Sequence, residues 1–265
     1  MTDSIEEKQI DSTAARSDRN CLVCMENISK RFGTITALQG VNFSVDRGEV
    51  RALLGDNGAG KSTLIKILMG LYPPTTGQIF IDGKPVTIHS PGEARSMGIE
   101  AVYQDLALVN LMSISRNFFL GREMVNHLGP ISWLDMRSMN QVCRQALHEI
   151  GIEIRSPAER VGSLSGGERQ SIAIGRGVHF GAKVLILDEP TSALSVAETR
   201  KVLTYINSAR DRGLGVIFIT HNVGHVYMVA DSYTIIRQGR VVGTYRKGEL
   251  SQDDIADLIT GERES

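Results

Sequence analysis

Short, uninterrupted apolar runs dominate the pattern of this chain. Val184-Leu185-Ile186-Leu187 and Val216-Ile217-Phe218-Ile219 carry no polar alternation, the habit of strands covered on both faces of a parallel sheet. Residues 50–54 read as a further buried strand that runs directly into Gly55, and a helix begins over 61–69. Upstream, 22–28 and 41–45 read as antiparallel strands. Asp82-Gly83 and Gln238-Gly239 each stand between two short apolar stretches, at 77–86 and 233–245, and predict hairpins. Ser251 caps a short final helix that ends near Gly261. Between 105 and 161 the period changes. Met136, Met139, Val142, Ala146, Leu147 and Ile150 recur at helical spacing, Cys143 falls on a core position of that helix, and 112–124 also reads as helix. The expected architecture is α/β, with a β-rich first third, a helical insertion and a central parallel sheet. No internal repeat or low-complexity segment interrupts it.

Composition sharpens the class without naming a chemistry. At 265 residues and 42% hydrophobic, the chain can bury a sizeable core as one large domain or one domain with a subdomain. A formal net charge of -1 gives no global attraction to nucleic acid or anionic lipid. No apolar run approaches the roughly 20 residues a membrane helix needs. Residues 1–20 mix acids, bases, Ser and Thr without an apolar core, so they read as a disordered tail rather than a signal peptide, and the expected compartment is the cytosol. Three cysteines suit a reducing compartment. Cys21 and Cys24 have C-x-x-C spacing, but no second pair follows, and on a strand positions three apart face opposite sides. A structural role is therefore expected, not a zinc site.

Gly55-Asp56-Asn57-Gly58-Ala59-Gly60-Lys61-Ser62-Thr63 contains a complete G-x-x-x-x-G-K-[ST] loop between a strand and a helix. Its glycines let the backbone wrap a phosphate, so that successive N–H groups and the positive helix end face the anion. Lys61 adds a mobile cation for the β- and γ-phosphates. Ser62 offers a hydroxyl to Mg²⁺, and Asp188, ending an apolar strand, stands where a carboxylate holds that metal directly or through water. Glu189 follows as a candidate general base for water attack, its plainer role being to cap a helix starting near Pro190. Between these halves, Leu164-Ser165-Gly166-Gly167-Glu168-Arg169-Gln170 combines a hydroxyl, two glycines and a following helix, a second anion-binding helix end.

In that order, Phe32 before Gly33, the phosphate loop, Gln104 in Val102-Tyr103-Gln104-Asp105, the 164–170 segment, Asp188-Glu189 and His221 in Ile219-Thr220-His221-Asn222 resemble the ABC transporter ATPase subunits over about 22–261. The wording of 55–63, 98–104, 119–123 and 259–261 is similar to the monosaccharide importers of the ribose, xylose and fructose group, especially the single-cassette fructose import type. The resemblance implies a P-loop NTPase (RecA-like) core at 21–104 and 162–262 with an antiparallel β subdomain, and a helical subdomain at 105–161. It implies ATP and Mg²⁺ as cofactors, Phe32 as an adenine platform, Gln104 as a sensor of Mg²⁺ and water, and His221 on the γ-phosphate. Ser165, Gly166, Gly167 and Glu168 would contact ATP held by another chain, so that a head-to-tail homodimer clamps two ATP molecules. Residues 110–123, with Phe118 and Phe119, would receive a cytoplasmic helix of an integral membrane permease, which an external sugar-binding protein serves. The expected location is the cytoplasmic side of the inner membrane. Two positions depart from the family pattern. Ser195 stands where an Asp is common, and Glu168 replaces a Gln, placing a carboxylate near the partner's ribose.

A soluble ABC ATPase acting on DNA or ribosomes is the rival reading, but long coiled-coil insertions, tandem cassettes and a basic surface are not visible. An unrelated P-loop kinase or GTPase would leave 164–170, Gln104 and His221 unexplained, and no Asn-Lys-x-Asp motif reads guanine.

Overall fold

The computed structural model describes residues 21–262, so the tail expected at 1–20 lies outside the described residues. A long hairpin comes first, β1 (Cys21–Phe32) with β2 (Ile35–Asp46), then the fully buried β3 (Val50–Leu54) and α1 (Lys61–Leu68). Next come β4 (Thr76–Ile81), β5 (Lys84–Val86), α2 (Pro91–Ser96) and β6 (Ile99–Val102). Asp82 and Gly83 join β4 to β5 with φ of 51° and 73°, the mirror-image turn that matches strand twist. The inserted segment holds α3 (Ile114–Phe118), β7 (Val125–Leu128), β8 (Ile131–Leu134) and α4 (Met136–Glu149). The chain then alternates through α5 (Gly166–His179), β9 (Val184–Asp188), α6 (Val196–Asp211), β10 (Gly215–Ile219) and α7 (Val223–Val229). It finishes with β11 (Ser232–Arg237), β12 (Arg240–Arg246) and α8 (Gln252–Thr260), the last capped by Ser251 and closed by left-handed Gly261.

The central sheet has six strands in the order β12-β11-β3-β10-β9-β6, parallel except for β12. Val184 and Ile186 face a core shared with α1 and the antiparallel sheet β2-β1-β4-β5, whereas Leu185 and Leu187 face a core under α5, α6 and α8. Two-sided burial is the reason β9 reads as an unbroken apolar run. A third apolar cluster joins α3 and α4 to α5 through Ile114, Phe118, Met139, Cys143 and Ile172.

Three expectations need correction. Of 112–124, only 114–118 is helix, and a small hairpin, β7 with β8, follows it inside the segment read as a helical insertion. Its apolar residues Val125, Leu128, Ile131 and Trp133 are exposed, so no buried face imposed a period of two, and the turn signal was Gly129-Pro130. Phe118 and Phe119 are 0% and 3% exposed and lie against His179 and Phe180, which makes them core rather than docking surface. Finally, Cys21 and Cys24 do not face apart. They form a disulfide with Cα atoms 6.4 Å apart, because an irregularity between Cys21 and Val23 shifts the face parity of β1.

Candidate functional site

Parallel order brings distant segments to one edge. The C-terminal ends of β3, β10, β9 and β6 lie side by side, and from them emerge the 55–60 loop, Thr220-His221, Asp188-Glu189 and Gln104 respectively. Asp56, Asn57, Gly58, Ala59, Gly60, Lys61, Ser62, Thr63, Gln104, Asp188 and Glu189 line a single open cavity of about 320 Å³. The loop's glycines have different reasons for being glycine. At Gly55 (φ 151°) a Cβ would overlap the Ile236 carbonyl, and at Gly60 (φ 111°) it would sit 2.7 Å from Leu38 Cδ2. Gly58 (φ 78°) borders open space, so only its backbone conformation excludes a side chain there.

Lys61 folds back over the loop and donates to the carbonyls of Gly55 (2.6 Å) and Asp56 (3.0 Å). Burial lowers its pKa, and the neighbouring Glu189, Asp56 and Asp188 oppose that shift. Asp188 is pushed the other way. Its burial, and then the charge of Glu189, raise its carboxyl above the ordinary range against the pull of Lys61 and Lys66. The cavity therefore holds a half-buried cation beside two carboxylates that repel one another, a balance suited to receiving both a polyphosphate and a divalent metal. Ser62, Gln104 and Asp188 supply hydroxyl, amide and carboxylate oxygens, the hard donors that Mg²⁺ takes.

Glu189 is held in a left-handed backbone conformation (φ 50°) with its N–H on the Ile219 carbonyl. No helix starts near Pro190; α6 begins at Val196, so Glu189 does not cap it. The Glu189 carboxylate instead accepts from the Thr220 hydroxyl (2.9 Å), the His221 N–H (3.0 Å) and His221 Nδ1 (2.8 Å), which joins the two candidate hydrolytic residues across adjacent strands. The His221 ring is exposed and available to a ligand. Behind it, Thr191 and His225 pair at 2.9 Å.

Phe32 is 42% exposed at the end of β1 and does not line that cavity. Its ring meets Tyr72 edge-on at 5.2 Å, and Lys30 lies 5.1 Å from the ring centre. Sequence reasoning missed Tyr72, whose place directly before Pro73-Pro74 carries no signal of a contact with Phe32.

The 164–170 segment lies elsewhere. Ser165, Gly167 and Glu168 line a different cavity from the phosphate loop, together with Glu198. Ser165 caps α5, with its hydroxyl accepting from the Glu168 N–H (3.3 Å) while the Glu168 carboxylate accepts from the Ser165 N–H (2.8 Å). Ser195 forms the same reciprocal box with Glu198 at the start of α6, a role that its place before Val196 and a Glu three residues on would have signalled.

Residues 38–192 match the family described as ABC transporter. The chain is 43% identical over 239 residues to the xylose/arabinose import ATP-binding protein XylG of Sulfolobus acidocaldarius, an alignment covering 90% of this chain and 94% of that protein. It is 42% identical over 247 residues to the fructose import ATP-binding protein FrcA of Rhizobium meliloti, covering 92% and 95%. Among solved structures it is similar to CbiO1 of Clostridium perfringens, part of the ABC transporter complex CbiONQ, with a TM-score of 0.74, 26% identity and coverage of 91% and 93%.

Proposed function

The chain belongs to the ABC transporter family and is an ATP-hydrolysing subunit by that membership, and we propose that its ATPase drives uptake of a monosaccharide through a separate membrane permease. The observation that carries the residue assignments is the convergence of the phosphate loop, Gln104, Asp188 and Glu189 on one cavity, with His221 hydrogen-bonded to Glu189. In this reading the N–H groups of 56–61 and the Lys61 ammonium bind the β- and γ-phosphates, and Phe32, braced by Tyr72, stacks on the adenine. Glu189 takes the proton of the attacking water, and His221 orients that water against the γ-phosphate. Mg²⁺, when bound, neutralises charge on the phosphates, and Ser62, Gln104 and Asp188 would hold it.

The loop and the 164–170 segment line separate cavities in one chain, which supports a head-to-tail homodimer in which Ser165, Gly166 and Gly167 meet the partner's ATP. No helix among the described residues is long and apolar enough to cross a membrane. In this reading the chain is attached by a membrane permease, served in turn by a sugar-binding protein. With Phe118 and Phe119 buried, Leu111 and Leu120 are the exposed large apolar side chains of 110–123 left to receive it.

The test is to purify the chain from its source membrane and identify what accompanies it. Co-purification with a permease, and ATPase activity raised by one monosaccharide plus its binding protein in the reconstituted complex, are the expected results. Purification with ribosomes or DNA and without a permease would overturn the transport assignment.

A further inference from the structure

The N-terminus of α5 is not vacant in the single chain. Gly167 donates its N–H to Glu198 Oε1 at 3.2 Å, across the junction between α5 and α6. The same carboxylate accepts from the Ser195 N–H (3.0 Å) and hydroxyl (2.8 Å). The approach is close enough that a Cβ on Gly167 would lie 2.8 Å from Glu198 Cβ. The glycine at 167 therefore serves the passage of Glu198 as well as any ligand. A carboxylate sits on a backbone N–H expected to meet the partner's nucleotide.

We propose that Glu198 is a gate on the 164–170 segment: it holds the Gly167 N–H in the open chain, and the partner's γ-phosphate must displace it before the dimer closes. This rests on the reading that the segment contacts the partner's ATP. One backbone N–H cannot serve a carboxylate and a phosphate together, and the two anions repel at hydrogen-bonding distance. Dimer closure is then an exchange of ligands at the α5 N-terminus, and ATP must out-compete an anion fixed in the chain. The Ser195 N–H and hydroxyl do most to depress the Glu198 carboxyl, to about 2, so the gate stays charged throughout the physiological range. Ser195, which takes the place of the family's common Asp, thereby acquires a task. It holds the gating carboxylate by its own N–H and hydroxyl.

Glu198→Gln tests this, because glutamine retains an oxygen for capping α6 while removing the charge. ATP-driven dimerisation is measured by sedimentation with Mg²⁺ and saturating ATP in a Glu189→Gln background, which slows turnover. Nucleotide loading is followed separately on the monomer with a fluorescent ATP analogue. The dimer dissociation constant is expected to fall about fivefold with Glu198→Gln, the size of a unit-charge repulsion across ~4 Å in water. Loading stays unchanged, and the melting temperature falls, because the charge-assisted bonds to Ser195 and Gly167 are weakened. Unaltered or weaker dimerisation with loading intact overturns the gate and leaves Glu198 a cap. If the Glu189→Gln chain loads ATP but does not dimerise, and Ser165→Arg makes no difference, the underlying reading of the segment fails instead.

Discussion

Glu189→Gln separates a chemical role from a structural one, because the structure fixes what the amide must do. The carboxylate accepts three hydrogen bonds, from the Thr220 hydroxyl, the His221 N–H and His221 Nδ1. Glutamine can keep its carbonyl oxygen on both His221 donors and turn its NH₂ toward Thr220, whose hydroxyl reverses from donor to acceptor. No buried group is orphaned, so the fold should change by less than about 1 kcal/mol. Alanine, in contrast, leaves the buried Thr220 hydroxyl without its acceptor, at about 1 to 3 kcal/mol, while the exposed His221 N–H turns to water. The proton acceptor is lost in both variants, and hydrolysis should fall by about 10² to 10⁴, equivalent to roughly 2.7 to 5.4 kcal/mol of barrier. Phosphate release at saturating ATP, fluorescent-nucleotide affinity and thermal melting are measured together. The expected pattern is loading within about threefold of the parent, an unchanged melt and nearly absent turnover. Turnover within about threefold of the parent would refute the assignment of Glu189 as base. Loss of loading together with turnover would show that the residue shapes the loop rather than the reaction.

Phe118→Ala should cost about 3 to 5 kcal/mol, since the ring is fully buried against Phe119, His179 and Phe180. Leu111→Ser, on a residue 81% exposed, should leave the denaturation midpoint alone and reduce capture of the permease. Asp188→Asn should raise the melting temperature at neutral pH. Burial and Glu189 raise the Asp188 pKa, so the stability this group contributes is present only in acid and is lost once pH climbs through that value. The advantage of Asn should therefore vanish on acidification, and a melt that does not depend on pH would contradict the sign. Gly55→Ala should prevent the phosphate loop from forming, because the new methyl overlaps the Ile236 carbonyl, while Gly58→Ala should fold at a cost of about 1 kcal/mol. Equal damage from the two would show that close packing does not distinguish these glycines.

The parallel core was legible because both faces of β3, β9 and β10 are covered, which suppresses alternation and leaves runs such as 184–187. The phosphate loop was legible because its residues are contiguous and their spacing is itself the geometry. The β7–β8 hairpin was hidden, since strands without a buried face leave no hydrophobic period. The cysteine pair was misread because one irregularity in β1 reverses which side chains share a face. Glu198 escaped notice for a different reason. Its partner at Gly167 is 31 positions away and is met only where α5 and α6 come together, and nothing in the local sequence of either residue announces the other.

The tension between burial and charge around Lys61 and Asp188 has a practical consequence for anyone who redesigns this chain. A procedure that optimises thermal stability would neutralise that pair early, and one that optimises solubility would replace exposed Phe32. These are residues to which ATP chemistry has been assigned, so an unconstrained optimiser would return a more robust protein that has forgotten its work. Sequence variation between stabilised and natural forms at these positions is then a readout of where selection has favoured turnover over endurance.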